Sequence, residues 1–130
     1  MEYWYDKELV LQILERIEFT IQTILRRNES ILSVNDYLNS ESGLEKLDAA
    51  CMLIQTIGEN IKVLDSKTQC KLLVNYPQIP WKRVIGMRDY ISHHYDGVDA
   101  DVMFEVVKHN LPPLLEVVRI IISDMKHLNQ

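Results

Sequence analysis

The sequence predicts an all-α protein, an up-and-down helical bundle of four to five main helices joined by short helical turns. Three observations carry this. Apolar residues recur at spacings of three and four far more often than they alternate. Only four glycines and four prolines interrupt 130 residues, few for this length. No repeat, linker or low-complexity stretch marks a boundary, so residues 1–130 are expected to form a single domain. Such a chain buries about two-thirds of its unfolded surface without a disulfide or a metal.

From Asp6 to Arg27, Leu9, Val10, Ile13, Leu14, Ile17, Ile21, Ile24 and Leu25 form one apolar stripe. Asp6 and Glu8 come early and Arg26 and Arg27 late, the order a helix dipole favours, so this is a long first helix. Asn28 to Gly43 is rich in Asn, Ser and Glu around a short apolar cluster, Ile31, Leu32, Val34, Tyr37 and Leu38. A loop with one short helical turn is expected there, with Ser40 or Ser42 capping the next helix.

From Leu44 to Leu64, the residues Leu44, Leu47, Cys51, Ile54, Gly58 and Ile61 make the seam of a helix packed lengthwise on another. Glycine costs about 1 kcal/mol in a helix interior relative to alanine, so Gly58 on that seam implies close backbone approach to a neighbouring helix or subunit. Ser66 with Gln69 reads as a capping box opening a short helix that ends near Asn75-Tyr76-Pro77. Pro80 suits the first turn of a helix whose buried face is Trp81, Val84, Ile85 and Ile91, with Gly97 ending it. Asp99 caps the next, carrying Val102, Met103, Val106 and Val107 on its apolar face. Asn110, Pro112 and Pro113 then break the pattern and start a last helix, Leu114 to Met125.

Charge and composition exclude several function classes. A net charge of −5 argues against broad, sequence-independent binding to a phosphate backbone, so any nucleic-acid contact must be local. Cys51 and Cys70 both sit in helical patterns and read as reduced, buried thiols. His109 and His127 are isolated and show no ligand spacing, so neither a metal nor another cofactor is expected. Met1 to Asp6 has no basic segment followed by an apolar core, and no apolar run approaches the ~20 residues of a membrane span. A soluble, cytoplasmic protein with no membrane contact is the expectation.

One stretch holds far more polar chemistry than a helix end needs: Arg88-Asp89-Tyr90-Ile91-Ser92-His93-His94-Tyr95-Asp96-Gly97. Histidine titrates near neutrality and takes either proton-transfer role, while arginine stays charged and grips phosphate oxygens with a planar fork of donors. On an ideal helix Arg88 and His93 lie roughly 140° apart, whereas Tyr95 is nearly in line with Arg88. One chain therefore offers an imperfect pair, and a two-fold dimer would bring two of each into one cleft.

Plainer readings exist for every member. Arg88 could pair with Asp89, Asp96 or an acidic residue on another helix, and His93 and His94 could be ordinary polar residues near a helix C-terminus. Tyr95 could be a half-buried aromatic with its hydroxyl at the surface. Lys82 and Arg83, earlier on the same helix, could guide RNA or simply form a solvated face. Asp89 could orient Arg88 or His93, although a carboxylate there also repels RNA.

At Arg88, Asp89 and His93, with Tyr95 two residues further on, the sequence resembles the HEPN superfamily in its HepT branch, which carries R-x4-H-x-Y. Ile57-Gly58-Glu59, Trp81, Gly97-Val98-Asp99 and Leu111-Pro112 resemble that branch in the same order. The resemblance implies a HEPN-like bundle that dimerises through the motif helix and acts as a metal-independent endoribonuclease toxin. It implies Arg88 and His93 as catalytic, and Asp89 and His94 as at most auxiliary. It further implies a partner, an MNT-type minimal nucleotidyltransferase antitoxin, that transfers AMP from ATP to Tyr95. The alternative is a catalytically inactive helical subunit that binds the nucleotidyltransferase as scaffold or substrate-binding partner.

Overall fold

The first apolar stripe becomes α1, Lys7–Arg27, in a computed structural model that describes residues 5–94 and 96–127. Asp6 caps it, Oδ1 accepting from the Leu9 N–H at 3.2 Å. Val10, Leu14, Ile17, Ile21 and Ile24 are wholly buried, each stabilising the fold by about 1.5–3 kcal/mol relative to exposure. The expected turn in the following loop is α2, Val34–Leu38, where the Asp36 carboxylate accepts from the Leu32 and Ser33 N–H groups at 2.7 and 3.1 Å.

The seam helix is longer than its pattern suggested: α3 spans Glu41–Lys67. Of the two serines available to cap it, Ser40 does so, its Oγ accepting from Gly43 N–H at 2.9 Å. Gly43 has a packing reason too, because a Cβ there would strike the backbone carbonyls of Asp36 and Tyr37 at the end of α2.

The capping box expected at Ser66 and Gln69 does not form. Ser66 lies inside α3, whose core face continues past Leu64 to the buried Thr68. The helix closes by a Schellman arrangement: Cys70 N–H donates to Asp65 O at 2.8 Å and Gln69 N–H to Ser66 O at 3.1 Å. Gln69 and Cys70 take left-handed φ values of 54° and 60°. Cys70 thus sits in an exposed turn rather than a helix, and only a 3-10 turn, Leu73–Asn75, follows.

Helix α4, Trp81–His94, begins just after Pro80, whose carbonyl accepts from the Arg83 and Val84 N–H groups. It ends before the predicted glycine: Gly97 N–H donates to His94 O at 2.8 Å, with no left-handed φ. Trp81, Val84 and Ile85 are half-buried, and Ile91 alone on α4 is fully buried. Asp99 caps α5, Ala100–Glu105, by accepting from Asp101 N–H at 2.8 Å.

The prolines do not interrupt what comes next. A π turn, Val106–Asn110, leads directly into α6, Leu111–His127, with Leu111 N–H donating to Val106 O. Prolines 112 and 113 have no N–H to offer the preceding turn, and one widened turn absorbs that loss, so helical structure continues instead of restarting at Leu114.

Packing is antiparallel throughout. Between α1 and α6, Lys108 at the π turn meets Asn28 while Arg119 meets Glu18, so partner numbers fall as residue numbers rise. Between α3 and α4, Gln55 meets Ser92 and Gly58 meets Arg88. The order across the bundle is α6, α1, α3, α4, with α2 and α5 closing one side of α3. Among the described residues there is no strand, and no helix is long and apolar enough to cross a membrane.

A buried polar knot ties the C-terminal end of α1 to this arrangement. Tyr37 donates to Asn28 Oδ1 at 2.8 Å, Asn28 Nδ2 donates to Ile24 O at 2.8 Å, and Lys108 Nζ donates to Asn28 O at 2.8 Å. Burial, then the neighbouring Cys51, pushes the Tyr37 phenol up to about 12. An unfolded chain releases that proton near pH 10. Stability is therefore full below about pH 10 and declines as pH rises through 12. Tyr76, raised by its burial and by Asp124, adds a decline of its own. Tyr37→Phe should flatten the alkaline decline while costing about 1 kcal/mol below pH 10, read by urea unfolding at a series of pH values.

Candidate active site

The motif helix is seated by one face of α3. Gln55, Gly58 and Glu59 lie at i, i+3 and i+4, which places all three on the side facing α4. Gln55 Nε2 donates to Ser92 Oγ at 2.8 Å. A Cβ on Gly58 would stand 3.1 Å from both Arg88 Cβ and Val84 O, so the absent side chain is what lets the two backbones approach. This is the close helix contact that the glycine implied.

Arg88 leaves α4 toward α3. Its Nε is 3.7 Å from Glu59 Oε1 and its Nη1 is 3.9 Å from Asp89 Oδ1. Both are ion pairs beyond hydrogen-bond reach, and among the described residues no acceptor hydrogen-bonds the guanidinium. The side chain is 30% exposed, so its donors are open to a ligand from solvent. Asp96, weighed as a partner from the sequence, forms no ion pair with it, whereas Asp89 and Glu59 do.

His93 and His94 both fold back along their own helix. His93 Nδ1 is 2.7 Å from Asp89 O and His94 Nδ1 is 2.8 Å from Tyr90 O. A carbonyl only accepts, so Nδ1 carries the hydrogen in each ring and Nε2 of the neutral ring is an acceptor directed elsewhere. The Tyr90 ring stacks on His94 with centroids 4.6 Å apart, and its hydroxyl accepts from Asp99 N–H at 3.3 Å. That pair ties the end of α4 to the cap of α5.

The structure thus brings Arg88 beside Asp89 and Glu59, and leaves His93 apart. The helix stays regular to His94, so the angular offset between Arg88 and His93 is not relieved, and their polar partners are Asp89 O for His93 and Glu59 and Asp89 for Arg88. Tyr95 lies outside the described residues. Lys82 and Arg83 are exposed at the start of α4. His109 pairs with Glu105 at 3.0 Å, and no group of three His, Cys, Asp or Glu that could hold a metal ion occurs among the described residues. Glu59 was visible from sequence only as part of Ile57-Gly58-Glu59. Its usable signal was its place beside a glycine that must touch another helix.

A family described as ribonuclease HepT-like matches residues 21–121, from the middle of α1 to near the end of α6. The chain belongs to this family. Over 73 residues it is 30% identical to a protein of Methanocaldococcus jannaschii provisionally named an RNase, covering 56% of this chain and 57% of that one. A second protein of that organism, named as a gamma-glutamylcyclotransferase and provisionally an RNase, is 33% identical over 113 residues, 87% of this chain and 46% of its own. A Thermococcus cleftensis protein provisionally named ribonuclease HepT is 44% identical over 39 residues, 30% of this chain and 36% of its own. The matched region spans about half the length of the first two relatives. No solved structure matches the chain.

The seating of the motif helix depends on the α3–α4 approach, and this can be tested directly. Gly58→Val should lower stability by about 1–3 kcal/mol in chemical denaturation, because its branches meet Arg88 Cβ and the Val84 carbonyl and α4 must shift.

Proposed function

We propose that this HepT-like chain is a metal-independent endoribonuclease that cuts RNA at a cleft between two copies of itself. The observation that carries the reading is Arg88: a solvent-open guanidinium, flanked by carboxylates but hydrogen-bonded to none, five residues before a histidine whose Nε2 is free to accept a proton. The names of the relatives support RNA as the substrate.

In this mechanism His93 Nε2 takes the 2′-OH proton, the 2′ oxygen attacks phosphorus, and the bond from phosphorus to the 5′ oxygen breaks. A second His93, as imidazolium, protonates the leaving oxygen, giving a 2′,3′-cyclic phosphate and a 5′-hydroxyl. Arg88 binds the phosphoryl oxygens as negative charge gathers on them. Base, acid and cation all come from side chains, so no step needs a metal.

The requirement for a second copy follows from the separation of Arg88 and His93 within one chain. Surface features favour such a pairing. Helix α4 packs chiefly on α3, and Leu38 and Met52, 50% and 68% exposed, rim a shallow groove with Ile91 and Val98 at the end of the motif helix. Asp89 and His94 are auxiliary: Asp89 flanks the guanidinium, and its carbonyl sets the His93 tautomer.

The enzyme acts in the cytoplasm as a toxin, and an MNT-type nucleotidyltransferase silences it by transferring AMP to Tyr95. A phosphate placed near Arg88 would occupy the cation that RNA needs.

Purified, unmodified protein should cut labelled RNA in excess chelator and leave cyclic-phosphate ends. Arg88→Ala and His93→Ala should each reduce cleavage by about 10²–10⁴-fold with thermal stability and dimer mass unchanged. Loss of stability in both would instead give these residues a structural role. Tyr95→Phe should still cleave yet take up no labelled AMP from the partner enzyme. No cleavage by wild type, with intact mass showing Tyr95 unmodified, would favour the inactive partner-binding subunit.

A further inference from the structure

We propose that Glu59 on α3 is a positioning residue for the Arg88 guanidinium, a role that rests on the ribonuclease reading above. Arginine carries its charge at the end of a long, flexible chain, and a cation that must meet a phosphorane needs to be held where the charge develops. Asp89 cannot supply that alone. It neighbours Arg88 on the same helix and moves with it.

Glu59 is different because it approaches from another element. It stands next to Gly58, where the α3 and α4 backbones come closest, and one turn after Gln55, whose amide holds Ser92. These contacts fix the rotation and height of α4 against α3 and set the distance that Glu59 has to span. Its carboxylate addresses the Nε edge of Arg88 at 3.7 Å. The terminal Nη groups are thereby left to grip two phosphate oxygens, with Asp89 Oδ1 beside Nη1 at 3.9 Å.

The same pair has little to contribute as a structural link. The Arg88 and Glu59 side chains are 30% and 56% exposed, and exposed pairs of this kind add little to folding stability. A carboxylate beside a phosphate-binding cation also repels the substrate. A plain surface glutamate here would therefore hinder RNA binding, whereas a positioning one raises turnover despite that repulsion.

Steady-state cleavage of one short oligoribonucleotide by wild type, Glu59→Gln and Glu59→Asp, with thermal unfolding of each, separates these roles. Positioning predicts that Glu59→Gln lowers kcat by about tenfold or more, with KM unchanged or lower and Tm nearly unchanged, and that Glu59→Asp recovers part of the loss. In an Arg88→Lys background, measured under single turnover, Glu59→Gln should add no further loss, because the carboxylate acts through the guanidinium. Unchanged kcat in Glu59→Gln, a rise in kcat/KM that salt abolishes, or an equal loss in the Arg88→Lys background would each overturn the role while leaving the ribonuclease reading intact. A wild type that cuts no RNA would overturn both.

Discussion

A missing side chain governs the site. At Gly58 the α3 backbone comes so near to α4 that a single added carbon would press on Arg88 Cβ and the Val84 carbonyl. Glycine in a helix interior costs about 1 kcal/mol relative to alanine, and the close packing of two helices offsets that cost. The contact sets the register of α4, and from the register follow the Gln55 bond to Ser92 and the reach of Glu59 to Arg88. Helix position comes first here, and the chemistry of the motif depends on it.

The electrostatics are those of an acidic chain, net charge −5, in which no hydrogen bond among the described residues occupies the Arg88 guanidinium. Two carboxylates lie close enough to Arg88 to hold its charge but too far to saturate its donors. Ion pairs at this exposure contribute about 0–1 kcal/mol, so an anion meeting the guanidinium would have little to displace. The histidines are prepared differently. Each ring spends Nδ1 on a carbonyl of its own helix, which fixes its tautomer and turns the other nitrogen outward. Order is imposed on the imidazoles by their own helix and on the guanidinium by a neighbouring one.

Much of this was legible in the sequence because it rests on periodicity or on residues with one job. The sequence narrows the α3 cap to Ser40 or Ser42 and presents Asp6 as a first-turn acid rather than the cap it is, whereas the α1 stripe, the Asp99 cap and the packing role of Gly58 read directly. The end of α3 did not, because a left-handed helix end usually advertises itself with glycine and here Gln69 and Cys70 adopt that conformation. Without the glycine, Ser66 and Gln69 imitate the start of a new helix. Pro112 and Pro113 misled for a related reason: proline signals a break, and a π turn is an accommodation that leaves no mark in hydrophobic spacing. Long-range polar pairs stayed hidden as well. Neither Glu59 with Arg88 nor Lys108 with Asn28 has a local pattern, since each is created only when distant helices meet.

The Lys108 contact also bears on the order in which the chain can assemble. It joins residues 80 apart, and the Arg119 pair with Glu18 joins residues 101 apart, whereas Gln55 and Ser92 are separated by only 37. Loop closure is less costly over the shorter span. On a ribosome, α3 and α4 leave the exit tunnel before α6 does and can dock first. Helix α1, although synthesised first, waits for the last helix to cover its second side and for Lys108 to satisfy the carbonyl at its end. The hairpin bearing the motif can therefore form early, and completion of the core comes last.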